Sequence, residues 1–186
     1  MLALRGARVL HRTGHLSRSE TAELGHISGT FDLTAVLTPD PTGTSGLRLV
    51  TSADGTEYLD ITIDPTAGRL TVDRGHASLD ARARGGSYVV PCPAAAAPGA
   101  PVEFRVIVDR SIAEIHLADG QVLTLRFYPL ADGPWRLQAR TTGTGRGDFT
   151  VEAWNLNPGG MPQAPVPVRI GESTGRGGNP SPRGGD

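Results

Sequence analysis

Residues 102–129 read VEFRVIVDRSIAEIHLADGQVLTLRFYP. Val102, Phe104, Val106 and Val108 alternate with Glu103, Arg105, Ile107 and Asp109, the period of two that lays one face of a strand on a core. Arg110 and Ser111 supply a turn into IAEIHLA. Asp119-Gly120 then marks a hairpin onto VLTLRFY, where Leu123, Leu125 and Phe127 share a face. Three successive strands within one short stretch set the class: antiparallel β.

The same grammar extends outward from residue 29 to residue 156. Phe31, Leu33, Ala35 and Leu37 form an imperfectly alternating strand. GLRLVTS and EYLDITID are joined through Asp54-Gly55, with Leu59, Ile61 and Ile63 on one side. GRLTVDR, a weak SYVV, WRLQAR and DFTVEAWNL complete the set. About ten strands at this spacing predict an all-β fold, an antiparallel two-sheet β-sandwich of the concanavalin-like jelly-roll kind. PCPAAAAPGAP interrupts as a loop, because proline cannot donate to a ladder. Cys92, between two of its prolines, reads as an exposed, inert thiol.

The flanks differ in composition. Residues 1–24, with Leu2, Leu4, Val9, Leu10 and Leu16 among arginines, read as an interdomain linker or a short helix, leaving residues 25–157 for the sandwich. Residues 158–186 are dominated by Gly and Pro and read as a disordered tail, since such a segment buries too little apolar area to offset its ordering entropy. Over the whole chain, Gly 25 and Pro 15 in 186 residues disfavour long helices.

Charge and cysteine usage exclude several functional classes. All 18 basic residues are Arg, set against 19 acids for a net charge of -1. That is no signature of nucleic-acid or membrane-surface binding. One cysteine permits neither an intramolecular disulfide nor a multi-cysteine zinc site. No apolar run is long enough to span a bilayer, and arginines occupy the place of a signal peptide's apolar stretch. As written, the chain reads as cytoplasmic. The five histidines lack ligand spacing, and the glycines form neither a dinucleotide fingerprint nor a P-loop, so no metal or cofactor is expected. Arg146-Gly147-Asp148 reads as a chance tripeptide in a hairpin turn.

Val108–His116, with Asp119-Gly120 and then Thr124 to Pro129, resembles the C-terminal β-sandwich of glycoside hydrolase family 32, the invertases, levanases and inulinases. GLRLVTSADGTEYLDITIDPTAGRLTVDR, ending at Asp73-Arg74, is similar to that family's upstream hairpins, and LALRG at residues 2–6 to the end of its linker. The chain departs from the pattern at His116, at Ala118 and in its Pro/Ala loop. The resemblance implies a catalytic β-propeller as partner, carrying Asn-Asp-Pro-Asn-Gly, Glu-Cys-Pro and Arg-Asp-Pro motifs. Here only Asp40-Pro41, Asp64-Pro65 and Cys92-Pro93 occur, in the wrong contexts. The expectation is therefore a non-catalytic accessory sandwich, from a truncated reading frame, a pseudogene-like remnant or an excised piece, belonging to an enzyme of sucrose or fructan hydrolysis.

Two other readings remain open. The sandwich could be an independent fructan-binding module for terminal fructose, or a generic lectin-like structural domain. Sugar recognition needs acids and Arg for hydroxyls and an aromatic for the apolar ring face. Asp109, Arg110, Glu114, Arg74 and Trp154 are the candidate ligand residues, with Trp135, Tyr58 and Tyr88 as further aromatics. Trp154 is out of phase with Phe149, Val151 and Ala153 and so faces away from the core, whereas Trp135 reads as core. Asp109 and Glu114 flank one turn. Asp109 and Ser111 can cap that turn while Arg110 forms an ion pair, or the group can contact a ligand. No catalytic residue is assigned.

Overall fold

The computed structural model describes residues 5–156; the tail expected over 158–186 lies outside them. Twelve strands follow one another: β1 (Arg5–Ser17), β2 (Thr21–Ile27), β3 (Thr30–Thr38), β4 (Ser45–Val50), β5 (Tyr58–Asp64), β6 (Arg69–Asp73), β7 (Ser87–Pro91), β8 (Val102–Asp109), β9 (Ile112–Leu117), β10 (Val122–Arg126), β11 (Trp135–Thr141) and β12 (Arg146–Leu156). They pair into two antiparallel six-stranded sheets. Sheet A has the order β1-β12-β3-β8-β9-β10 and sheet B the order β2-β11-β4-β5-β6-β7. The expected β-sandwich is the observed fold.

Alternation builds the core. Leu33, Ala35 and Leu37 of β3, Phe104, Val106 and Val108 of β8, Ala113 and Ile115 of β9, and Phe149, Val151 and Ala153 of β12 point inward from sheet A. Leu47, Leu49, Leu59, Ile61, Ile63, Leu70, Val72, Leu137 and Ala139 answer from sheet B. Trp135 is 1% exposed. It meets Phe127 edge-on at 5.9 Å and donates its indole N–H to Ala131 O at 2.7 Å, the partner that a buried indole requires.

Three expectations are corrected. Residues 5–24 are not linker or helix: β1 pairs with β12 along its length, and β2, which starts at Thr21, pairs with β11. The sandwich therefore begins at Arg5. Both strands carry bulges, between Arg5 and Leu10 and between Leu137 and Gln138 of the β2 partner, and a bulge breaks the period of two that identifies a strand. The inward position Gly14 also lacks a side chain, because the Phe149 ring lies 2.8 Å from where a Cβ would stand. Cys92 is 3% exposed. Its N–H donates to Gly68 O, and a 3-10 turn over Pro93–Ala96 buries Ala95 beside it. Burial pushes its thiol pKa up, with the nearby Asp119 charge adding to this and the Ala95 N–H opposing it. Finally, Arg146 and Asp148 lie within β12, facing outward and paired with each other at 2.8 Å.

Two buried carboxylates organise the loops at opposite ends. Asp40, at the tip beyond β3, accepts from the N–H and hydroxyl of Thr42, both at 2.8 Å, and from Gly145 N–H at 2.7 Å. Burial raises its pKa, but these donors outweigh burial and hold it below the ordinary carboxylate range. At the other end Glu57 is 0% exposed. It accepts from the Thr51 hydroxyl at 2.9 Å, Leu79 N–H at 3.0 Å and Leu130 N–H at 3.1 Å.

Candidate functional site

The outward face of sheet A carries two adjacent polar rows. One runs Arg8, Trp154, Asp32, Ile107, Glu114 and Thr124 across β1, β12, β3, β8, β9 and β10. The next runs His11, Glu152, Thr34, Arg105, His116 and Val122. Asp32 is 0% exposed although it points away from the core. Arg105 Nε reaches its carboxylate at 2.7 Å, and Arg5 Nη2 contacts Asp32 at 3.2 Å and the Thr34 hydroxyl at 3.1 Å. Burial alone would raise the Asp32 pKa. The hydrogen bonds and charges of Arg105 and Arg5 win and place it below the ordinary range.

The same Arg5 guanidinium lies 3.8 Å over the Trp154 ring. Trp154 thus faces away from the core, as its phase requires, but one face of its ring is already covered by a cation. Glu114 shares the row with Trp154, yet β3 and β8 separate them, which is about 14 Å at the usual interstrand spacing. Glu114 pairs with His116 Nε2 at 3.3 Å.

Asp109 and Glu114 are diagonal neighbours on this face, roughly 7–8 Å apart by strand geometry; their direct partners across the hairpin are Ile112 and Ile107. Backbone contacts hold the turn: Arg110, at φ 54, donates its N–H to Gly29 O at 2.8 Å, and Ser111 O accepts from Phe127 N–H at 3.0 Å. Asp109, Arg110 and Asn155 border one shallow open depression at the end of the sheet. Arg74 is elsewhere. It follows β6 in sheet B, sits 5.0 Å over Tyr88 and donates to Arg126 O at 2.8 Å, tying the sheets together at their edge. The five candidates therefore divide into Asp109 with Arg110, Glu114, Trp154, and a distant Arg74.

Sheet B has an outward ion cluster of its own. Asp60 receives Arg48 at 2.7 Å and Arg140 at 3.2 Å. Arg48 also lies 3.6 Å over the Tyr58 ring, which stacks on His76 at 4.8 Å. Among the described residues no three His, Cys, Asp or Glu side chains converge to hold a metal ion, and no helix is long and apolar enough to cross a membrane.

Residues 1–155 match the family described as glycosyl hydrolases family 32, C terminal. The chain belongs to this family. Solved structures share its fold. It is similar to a fructosyltransferase from A. japonicus, with TM-score 0.72 and 17% identity over 87% of this chain and 29% of that one. It is similar also to an exo-inulinase from Aspergillus awamori, with TM-score 0.64 and 23% identity over 81% and 29%. A fructan 1-exohydrolase IIa from Cichorium intybus gives TM-score 0.64 and 16% identity over 83% and 36%. The family 32 domain thus spans about a third or less of these relatives. No curated protein matches it by sequence.

The ion clusters of this family 32 domain escaped the sequence reading. Asp32 sits at a polar position of β3, but its cations lie 27 and 73 residues away, and only the sheet order brings them together. The Asp73-Arg74 motif did mark Arg74, whose role in the structure is the tie to Arg126.

Proposed function

We propose that this domain is a non-catalytic accessory sandwich that stabilises the catalytic propeller of a β-fructosidase-type enzyme acting on sucrose or fructans. The observation that carries this reading is what its carboxylates do. Hydrolysis of a glycoside needs a carboxylic acid with a raised pKa to protonate the leaving oxygen, facing a second carboxylate across the scissile bond. Here every carboxyl whose pKa is displaced, among the described residues, is displaced downward: Asp32, Asp40, Asp54, Asp80 and Asp119. Asp54, held by the Ser52 hydroxyl and by Thr56, falls to about 2. Their hydrogen-bond donors favour the ionised form, the opposite of what a general acid needs.

Aromatic geometry supports the structural role over an independent sugar module. On the two outward sheet faces the candidate rings are already engaged: Trp154 has one face under Arg5, and Tyr58 is packed against Arg48 and His76. The relatives' greater length leaves room for the catalytic part that this role requires. The test is an assay of the purified 186-residue chain with sucrose, inulin and levan. No reducing sugar should be released. Turnover abolished by Asp109→Asn or Glu114→Gln would overturn the reading. Calorimetry with fructose and levan should give a flat titration at millimolar sugar.

A further inference from the structure

We infer that the loop end of the sandwich bearing Leu79, Tyr128 and Leu130 is the face that docks on the catalytic body preceding this domain in the longer enzyme. This inference rests on the accessory reading above. Leu79 is 51% exposed, Tyr128 45% and Leu130 68%, with Tyr88 nearby at 38%. Among the described residues the remaining exposed large apolar side chains, Val9, Val89 and Val122, lie on the edge strands β1, β7 and β10.

The trio is held in place. The buried Glu57 carboxylate accepts the N–H of Leu79 and the N–H of Leu130, and Tyr128 donates its N–H to Ala77 O at 3.3 Å. One buried carboxyl group thus ties together two separate loops, 74–86 and 127–134, whose apolar side chains are exposed. Presentation of apolar groups on a fixed backbone lowers the ordering cost of binding. Around them stand Arg74, stacked over Tyr88, Arg82, paired with Asp80, and Arg84. The buried Arg74 Nε–H has no hydrogen-bond partner among the described residues. An aromatic and aliphatic centre with an arginine rim is the composition of a protein interface.

Topology selects the occupant. β1 begins at Arg5 opposite Leu156, and the same end of sheet A is closed by Thr30, Asp109, Ile112 and Arg126, which are in register with one another. β6 ends at Asp73 on this side and β10 runs out into Tyr128 and Leu130. Because the family match is to the C-terminal domain, which is about a third of the relatives' length or less, the rest of such an enzyme arrives through Arg5, at this end. The far end is closed by the polar Asp40 knot and the Asp119-Gly120 turn.

Hydrogen exchange tests the inference. The 186-residue chain is joined through Met1 to the Aspergillus awamori exo-inulinase in place of that enzyme's matching segment and compared with the free chain. Segments 74–86 and 127–134 should exchange at least about tenfold more slowly in the joined protein, with 39–44 and 118–121 unchanged. Leu79→Asp with Leu130→Asp, both at exposed positions, should return the free-chain rates. Protection of the Trp154 and Glu114 face or of the far end, with 74–86 and 127–134 unchanged, would overturn the docking face and leave the accessory role standing. Absence of protection anywhere would overturn both.

Discussion

Replacing Glu57 by Ala removes the acceptor of three donors at a site with no access to water. The Thr51 hydroxyl at 2.9 Å, the Leu79 N–H at 3.0 Å and the Leu130 N–H at 3.1 Å all lose their partner, and the side chain that receives them is 0% exposed. A buried donor left unsatisfied costs about 1–3 kcal/mol. Partial relaxation of two surface loops and entry of water reduce the sum, so the expected loss is roughly 3–5 kcal/mol, a large part of a domain's stability. At about 2–4 °C per kcal/mol for a domain of this size, the melting midpoint should fall by roughly 6–20 °C. Urea unfolding followed by circular dichroism reads the first quantity and calorimetry the second. Glu57→Gln keeps one acceptor oxygen but turns an NH₂ toward the remaining donors, and should fall between wild type and Ala. A loss below about 1 kcal/mol for Glu57→Ala would refute the view that this carboxylate, rather than the loops' own packing, holds 74–86 and 127–134 in place.

Asp32 and Asp40 have folded-state pKa values below their unfolded ones. Their contribution is therefore complete above the unfolded carboxylate pKa and is lost as pH falls through the folded values, so stability should decline below about pH 4. Asp32→Asn should be less stable at neutral pH and flatter in that acid range; an unchanged acid profile would contradict the Arg105 and Arg5 clamp. Gly46→Ala places a Cβ 2.0 Å from Ile61 O in the neighbouring strand, so it should cost at least about 1–3 kcal/mol in urea unfolding, as overpacking does. Cys92, buried and with a raised thiol pKa, should react with a disulfide reagent only as fast as the domain opens. Rapid labelling of the native chain at pH 8 would show that its pocket is open.

Ten of the strands were legible because inward residues such as Val102, Phe104, Val106 and Val108 keep strict alternation, and because Asp119-Gly120 closes its hairpin where the chain must turn. β1 and β2 were not. Only Leu10 and Leu16 of the long β1 are deeply buried apolar residues, Gly14 yields its place to the Phe149 ring, and bulges shift the register of both strands. The loop around Cys92 carries the turn residues of a surface segment, yet pairing of the Cys92 N–H with Gly68 O draws it inward. For the candidate site, the phase of Trp154 told its direction but not its cover, since nothing near Trp154 in sequence points to Arg5. Glu57 gave no signal at all: flanked by Thr56 and Tyr58 it reads as an ordinary strand edge, and its partners Leu79 and Leu130 are 22 and 73 residues away.

The accessory role is tested most directly by the thermal inactivation half-life of the Aspergillus awamori exo-inulinase deprived of its own matching segment, measured with and without the 186-residue chain. At a hundredfold excess over its dissociation constant, a partner that binds only the folded enzyme adds about 2.7 kcal/mol of stability. The half-life should lengthen with the wild-type chain and with Val122→Asp, and should lengthen less with Leu79→Asp/Leu130→Asp. A half-life unchanged by any folded form of the chain would contradict the account.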